Sequence, residues 1–194
     1  AHTSADGLLS ILHWEAALAE LQAVARRSGA PLPDWPMCCG ALEVLLDANR
    51  LPDALSVYRE AQEAGVVQRP WHLNLRDALD LHLLGSVPPS VANLAVLDAL
   101  LEVASRPSPP RELLIVTGLG KHSKDGVPVL LPSVLAMLTE ELGLDVRRAS
   151  TLGRLKVSAE SLRGIWTPLA HLHTDLAAQK RAAVRRTCGG PEIA

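Results

Sequence analysis

The residues with chemistry to offer lie in two short runs, LDLH at 79–82 and TGLGKHS at 117–123. The first presents a carboxylate, Asp80, and an imidazole, His82, with one residue between them. The second presents Thr117, Gly118 and Gly120, then Lys121, His122 and Ser123. Three kinds of site compete for the second run: a nucleotide loop, a metal site, or a site that handles a phosphate backbone. A P-loop needs G-x-x-x-x-G-K-[ST]. Ile115 stands where its first glycine belongs, and His122 separates Lys121 from Ser123. A dinucleotide fingerprint needs a third glycine where Ser123 stands. A zinc site is weak as well, because His82, His122, His171 and His173 lack the spacing of a finger. The two histidines of HLHTD are two apart in helical surroundings, so their side chains diverge.

The phosphate-backbone reading fits the residue types best. Gly118 and Gly120 allow a sharp turn with exposed N–H groups, an anion cradle. Lys121 adds charge, and His122 can donate to a phosphate oxygen or move a proton near neutral pH. Ser123 can cap a helix or hydrogen-bond a phosphate. If the two runs end parallel neighbouring strands, Asp80 and His82 lie beside the glycine loop. A carboxylate, imidazoles and an anion cradle are a set that could cleave a phosphodiester. On residue types alone, a glycine turn bearing surface polar groups is an equal alternative.

The elements that must position these groups fall into two rhythms. Up to Pro70 the chain reads as helix, rich in Ala, Leu, Glu and Arg at three- and four-residue spacing. Pro52 marks a helix start and Gly65 a helix end. AALAELQAVARRSG at 16–29 echoes DALSVYREAQEAG at 53–65, an offset of 36 to 37 residues that points to stacked helix pairs. After Pro70, ALDLHLLG alternates like a strand, and SVANLAVLDALLEVAS reads as a helix capped by Ser90. LLIVTG is a continuous apolar run, as in a strand covered on both faces. LPSVLAMLTEELG reads as a helix with Pro132 in its first turn, and DVRRAS and GRLKVSA as two strands joined near Gly153. The order β-α-β-α-β-β implies an α/β sandwich with a mixed sheet behind N-terminal helical hairpins. The expected divisions are 1–70 for the helical repeats, 71–166 for the sandwich and 167–194 for a basic helix and tail.

Composition narrows the setting. The chain has 194 residues, 48% of them hydrophobic but only 3% aromatic and none Phe, so Leu, Val and Ala must fill the core. Three cysteines, two of them adjacent, argue against a disulfide framework and for a reducing compartment. Cys38 and Cys39 read as helix packing. No apolar run reaches the roughly 18 residues that span a bilayer. Residues 1–7 do not read as a signal or transit peptide, and a start without Met suggests a fragment or processed product. The net charge of −2 hides an asymmetry. Residues 1–69 carry nine acidic against five basic side chains, and residues 147–186 two against nine. That basic stretch is either a solvated face or a contact for a polyanion, nucleic acid first.

Two family resemblances attach to these residues. Residues 35–69 resemble one unit of the pentatricopeptide repeat (PPR), with LPDALSVYREAQEAGV standing for the family's small-residue turn, Ala-Leu helix and Gly-hydrophobic end. Residues 8–34 look like most of a preceding unit. Residues 78–166 resemble a Smr (small MutS-related) domain. LDLH matches that family's L-D-x-H motif, and TGLGKHS its T-G-x-G-K-H-S version in land-plant and algal PPR proteins. LGRLKVSAESLRGIW is similar to the same branch's Gly-Arg, Ser and terminal Trp.

The resemblance implies an organellar PPR–Smr protein, chloroplast ahead of mitochondrion, that binds RNA and acts in organellar gene expression. It implies Asp80 and His82 as catalytic residues of an endoribonuclease, with Mg²⁺ as cofactor if it cleaves. Thr117, Gly118 and Gly120 would form the backbone-binding loop, and Lys121, His122, Ser123, Arg154 and Lys156 would hold phosphates. DNA stays open as a target, because phosphate contacts do not read the sugar. The alternative is a non-catalytic subunit of a larger assembly, such as an organellar ribosome or transcription complex. No membrane partner is expected. The chain departs from the Smr pattern at Leu83, where many members have Gly, and at VPVLLPS, which is apolar where the family is basic. Each PPR unit reads about one base. The reading positions here fall on Cys39 and Arg69, which is not a usual pair.

Overall fold

The structure, a computed structural model, describes residues 34–108, 110–120 and 126–164. The first copy of the echoed helix pair, the residues Lys121, His122 and Ser123, and the basic tail expected over 167–194 lie outside the described residues. The chain forms two compact units. One comprises Ala1–Pro70 with Leu81–Ala95, and the other Trp71–Asp80 with Val96–Ala194.

In the first unit, helices α1 (Trp35–Asp47) and α2 (Leu51–Glu63) pack as a hairpin. Asp34 caps α1, its Oδ1 accepting the Met37 N–H at 3.0 Å. The chain turns at Asn49, which takes the left-handed conformation at φ 56°. Pro52 lies in the first turn of α2, and Gly65 follows its end at φ +73°, as the sequence predicts. Cys38, Ala41, Leu42 and Leu45 of α1 are buried, as are Ala54, Leu55, Tyr58 and Ala61 of α2. These positions repeat at three and four residues and form the seam between the helices. Trp35 leans on Tyr58, ring centroids 6.3 Å apart, and its Nε1 donates to the Leu84 carbonyl at 2.8 Å.

The second unit holds a four-stranded mixed sheet in the order β1-β2-β4-β3. Its strands are β1 (Ala78–Asp80), β2 (Glu112–Val116), β3 (Val146–Arg148) and β4 (Arg154–Ser158). β1 and β2 are parallel, and β4 runs antiparallel to both β2 and β3. Helix α3 (Pro89–Ala104) joins β1 to β2, and α4 (Leu130–Ala136) with a π-turn over Met137–Glu141 joins β2 to β3. The order is therefore the β-α-β-α-β-β expected. Leu79, Leu113, Ile115, Leu155 and Val157 are fully buried and form one face of the sheet. The start of β1 is anchored by Arg106, which meets Asp77 at 2.6 Å and lies over the Trp71 ring at 4.8 Å. The Trp71 Nε1 donates to Glu102 at 2.9 Å.

Three local expectations differ from the structure. The alternation over 78–85 yields only a three-residue strand, because Leu81–Leu84 tighten into one 3-10 turn that buries Leu81 and Leu84 together. Ser90 does not cap α3, because the helix already begins at Pro89 and its first bond runs from the Ala92 N–H to the Pro88 carbonyl. β2 is not covered equally on both faces: Leu113 and Ile115 are buried, Leu114 and Val116 only half so.

Candidate functional site

Strand direction brings Asp80, the start of the Thr117–Gly120 loop and Arg154 to one edge of the second unit. β1 and β2 are parallel, so both end there, and antiparallel β4 begins there. Asp80 is in register with Val116, and Val116 with Arg154, which makes one row across three strands. The Asp80 and Arg154 backbones are thus about 10 Å apart, two strand spacings. Both side chains are half-buried. Directly beyond the row, β2 continues into Thr117–Gly118–Leu119–Gly120, and Gly153 precedes β4.

This edge is fastened through one carbonyl. The Gly153 oxygen accepts the Thr117 N–H at 2.9 Å, the Gly118 N–H at 3.2 Å and the Thr117 hydroxyl at 3.1 Å. Thr117 is buried, at 7% exposure, so its side chain secures the loop from inside. The glycines follow from the same close approach. A Cβ on Gly153 would lie 2.7 Å from the Gly118 carbonyl carbon. One on Gly120 would lie 2.5 Å from the Val127 carbonyl carbon and 2.7 Å from the Pro128 Cα. Gly118, Gly120 and Gly153 all have φ between +72° and +82°, a region that disfavours any side chain. The anion cradle expected from exposed N–H groups therefore does not include the Gly118 N–H, which is used internally.

The other candidates are placed as follows. His82 belongs to the first unit, exposed in the 3-10 turn, its carbonyl accepting the Gly85 N–H at 3.0 Å. Lys156 stands opposite Leu114, two residues along β4 from Arg154, and its Nζ meets Glu112 at 2.7 Å. Among the described residues no three His, Cys, Asp or Glu side chains gather as a metal site requires. Burial pushes the Cys38 thiol pKa up, helped by the nearby Asp34. Burial, then Cys38 and Glu43, push that of Cys39 up to about 11. Both thiols stay protonated at neutral pH, which suits packing and not metal binding. Gly153, which holds the site together, was not a sequence candidate. Its signals were a glycine between two short strands and its place in the Gly-Arg pair with Arg154.

The fold and this edge define a small mixed α/β protein with N-terminal helices and a glycine-rich loop at the end of a parallel strand pair. Compared with known proteins, the chain matches no family model, no curated protein and no solved structure. No described helix is long and apolar enough to cross a membrane.

Proposed function

We propose that this chain binds RNA, gripping the phosphodiester backbone at the β1–β2–β4 edge, as an organellar protein of the PPR–Smr type. The observation that carries the reading is the row Asp80–Val116–Arg154. Asp80 of the first motif and the Thr117–Gly120 part of the second, some 35 residues apart in the chain, end at one edge with a cation beside them. That supports the use of LDLH and TGLGKHS together. In this reading Arg154 holds a phosphate, the Thr117–Gly120 loop sets the approach of the backbone, and Asp80 and His82 serve cleavage. Mg²⁺, where used, would take the Asp80 carboxylate and complete its shell with water and phosphate oxygens, the usual manner of that ion.

A second reading, an RNA-binding or structural subunit that does not cleave, is favoured by the internal use of polar groups. Thr117 and the Gly118 N–H are engaged by Gly153, and Lys156 by Glu112. Cys39, at a base-reading position of the PPR-like unit, is 5% exposed and is closed to a base. Incubating labelled single-stranded RNA with Mg²⁺ and the wild-type, Asp80→Ala, His82→Ala or Arg154→Ala chain separates the readings. Cleavage by wild type, lost in the first two variants, supports the nuclease. Intact RNA in every lane with binding weakened by Arg154→Ala leaves the non-cleaving subunit. Absence of binding at low salt removes RNA binding and leaves a structural subunit of a protein assembly.

A further inference from the structure

The same edge carries an apolar surface that phosphate binding does not use. Leu119, Val127, Val129 and Leu152 are 41%, 59%, 50% and 77% exposed. Single exposed aliphatic residues are ordinary, but a cluster is not. These four are clustered by backbone contact. Gly153, next to Leu152, packs against Gly118, next to Leu119. Gly120, on the other side of Leu119, packs against Val127 and Pro128. The side chains therefore project from three loop segments whose backbones touch. The internal hydrogen bonds to the Gly153 carbonyl hold two of those segments in place. A fixed apolar surface exposed to water costs free energy that an apolar partner would recover.

We infer that this aliphatic rim receives the unpaired bases of a single nucleic-acid strand, so the site takes single-stranded RNA in preference to duplex. The inference rests on the RNA-binding reading above and deepens it. Charge decides the occupant. The rim adjoins Arg154, which makes no ion pair among the described residues, so the surface joins an apolar platform to a cation. A nucleic-acid strand offers the matching alternation of anionic phosphate and apolar base. In a duplex the bases are stacked away inside, and only the charged backbone could reach the rim. Aliphatic contact also distinguishes bases poorly, so the rim grips without selecting a sequence.

The test compares one RNA, single-stranded and annealed to its complement, against the full chain and its Leu152→Ser and Leu119→Ser variants. Both leucines are exposed, and urea unfolding verifies that the variants fold. The wild type should prefer the single strand. Each substitution should weaken that binding by about fivefold, the lower end of what one base contact on an aromatic side chain contributes. The dependence on salt should stay unchanged, because no phosphate contact is lost. Single-strand affinity within about twofold of wild type in both variants would overturn the inference and leave the RNA-binding reading standing, as would equal or tighter binding of duplex by the wild type. If the wild type bound neither form, the RNA-binding reading would fall and the inference with it. Concentration-dependent self-association abolished by Leu152→Ser would then assign the rim to a second copy of the chain.

Discussion

Gly120 and Gly153 are where the chemistry and the fold meet at the scale of single residues. Both are held at positive φ with another stretch of backbone where a Cβ would stand. Gly120→Ala should therefore cost about 3 kcal/mol, from the left-handed conformation and the forced displacement of Val127 and Pro128 together. Gly143 has φ +65° but open space around it, so Gly143→Ala should cost only about 1 kcal/mol. Urea midpoints of the two variants measure the difference, and equal losses would mean that the close approach at Gly120 is not maintained in solution. A second residue-scale expectation concerns pH. Cys39 has its pKa raised from 9.0 to about 11 by burial, so the folded state keeps a proton that the unfolded state gives up. The stability this represents is complete below about pH 9 and is lost as pH rises towards 11. Stability measured across that window should decline, and Cys39→Ala should decline less steeply.

At the scale of elements, β1 shows how a three-residue strand can position a site. It is held at its start by the Arg106–Asp77 pair and the Trp71 ring, and along its length by parallel pairing to β2. Arg106→Ala should destabilise the second unit by about 2 kcal/mol, since it removes a short charged hydrogen bond and a ring contact from a part-buried place. Thermal unfolding measures this, and Arg106→Lys should restore only part, because an ammonium cannot both pair with Asp77 and lie flat on the ring. Much of the architecture was legible because it follows from local pattern. The three-and-four spacing of α1 and α2, Pro52, Gly65, and the apolar run of β2 all lie in contiguous sequence. What was not legible depends on partners distant in the chain. Alternation could not show that Leu81 and Leu84 would both turn inward in a 3-10 turn, which ends β1 at Asp80. The glycines of TGLGKHS pointed to a turn, but not to Gly153 as the group Gly118 packs against, 35 residues later in the sequence. Nor could the sequence show that Lys156 would be engaged by Glu112 across a strand pair, while Arg154 stands at the edge.

Across the whole molecule, a helical hairpin and a mixed α/β unit share one chain, and Asp80, the Thr117–Gly120 loop and Arg154 meet at a sheet edge of the second. In the proposed reading, phosphates meet Arg154 and bases meet the aliphatic rim. The fastening at Gly153 keeps both in register before any strand arrives, so little ordering is left for binding to accomplish. The most direct test is a set of binding isotherms for a fluorescent single-stranded RNA over a range of salt, with the wild type, Arg154→Ala and Lys156→Ala. The wild type should bind, with affinity falling as salt rises. Arg154→Ala should weaken binding at low salt and reduce the log–log salt slope by about 0.7, the loss of one phosphate contact on a single strand. Lys156→Ala, whose cation is already paired with Glu112, should change the slope less. No binding at low salt, or an Arg154→Ala isotherm with the affinity and slope of the wild type, would contradict a phosphate backbone at this edge.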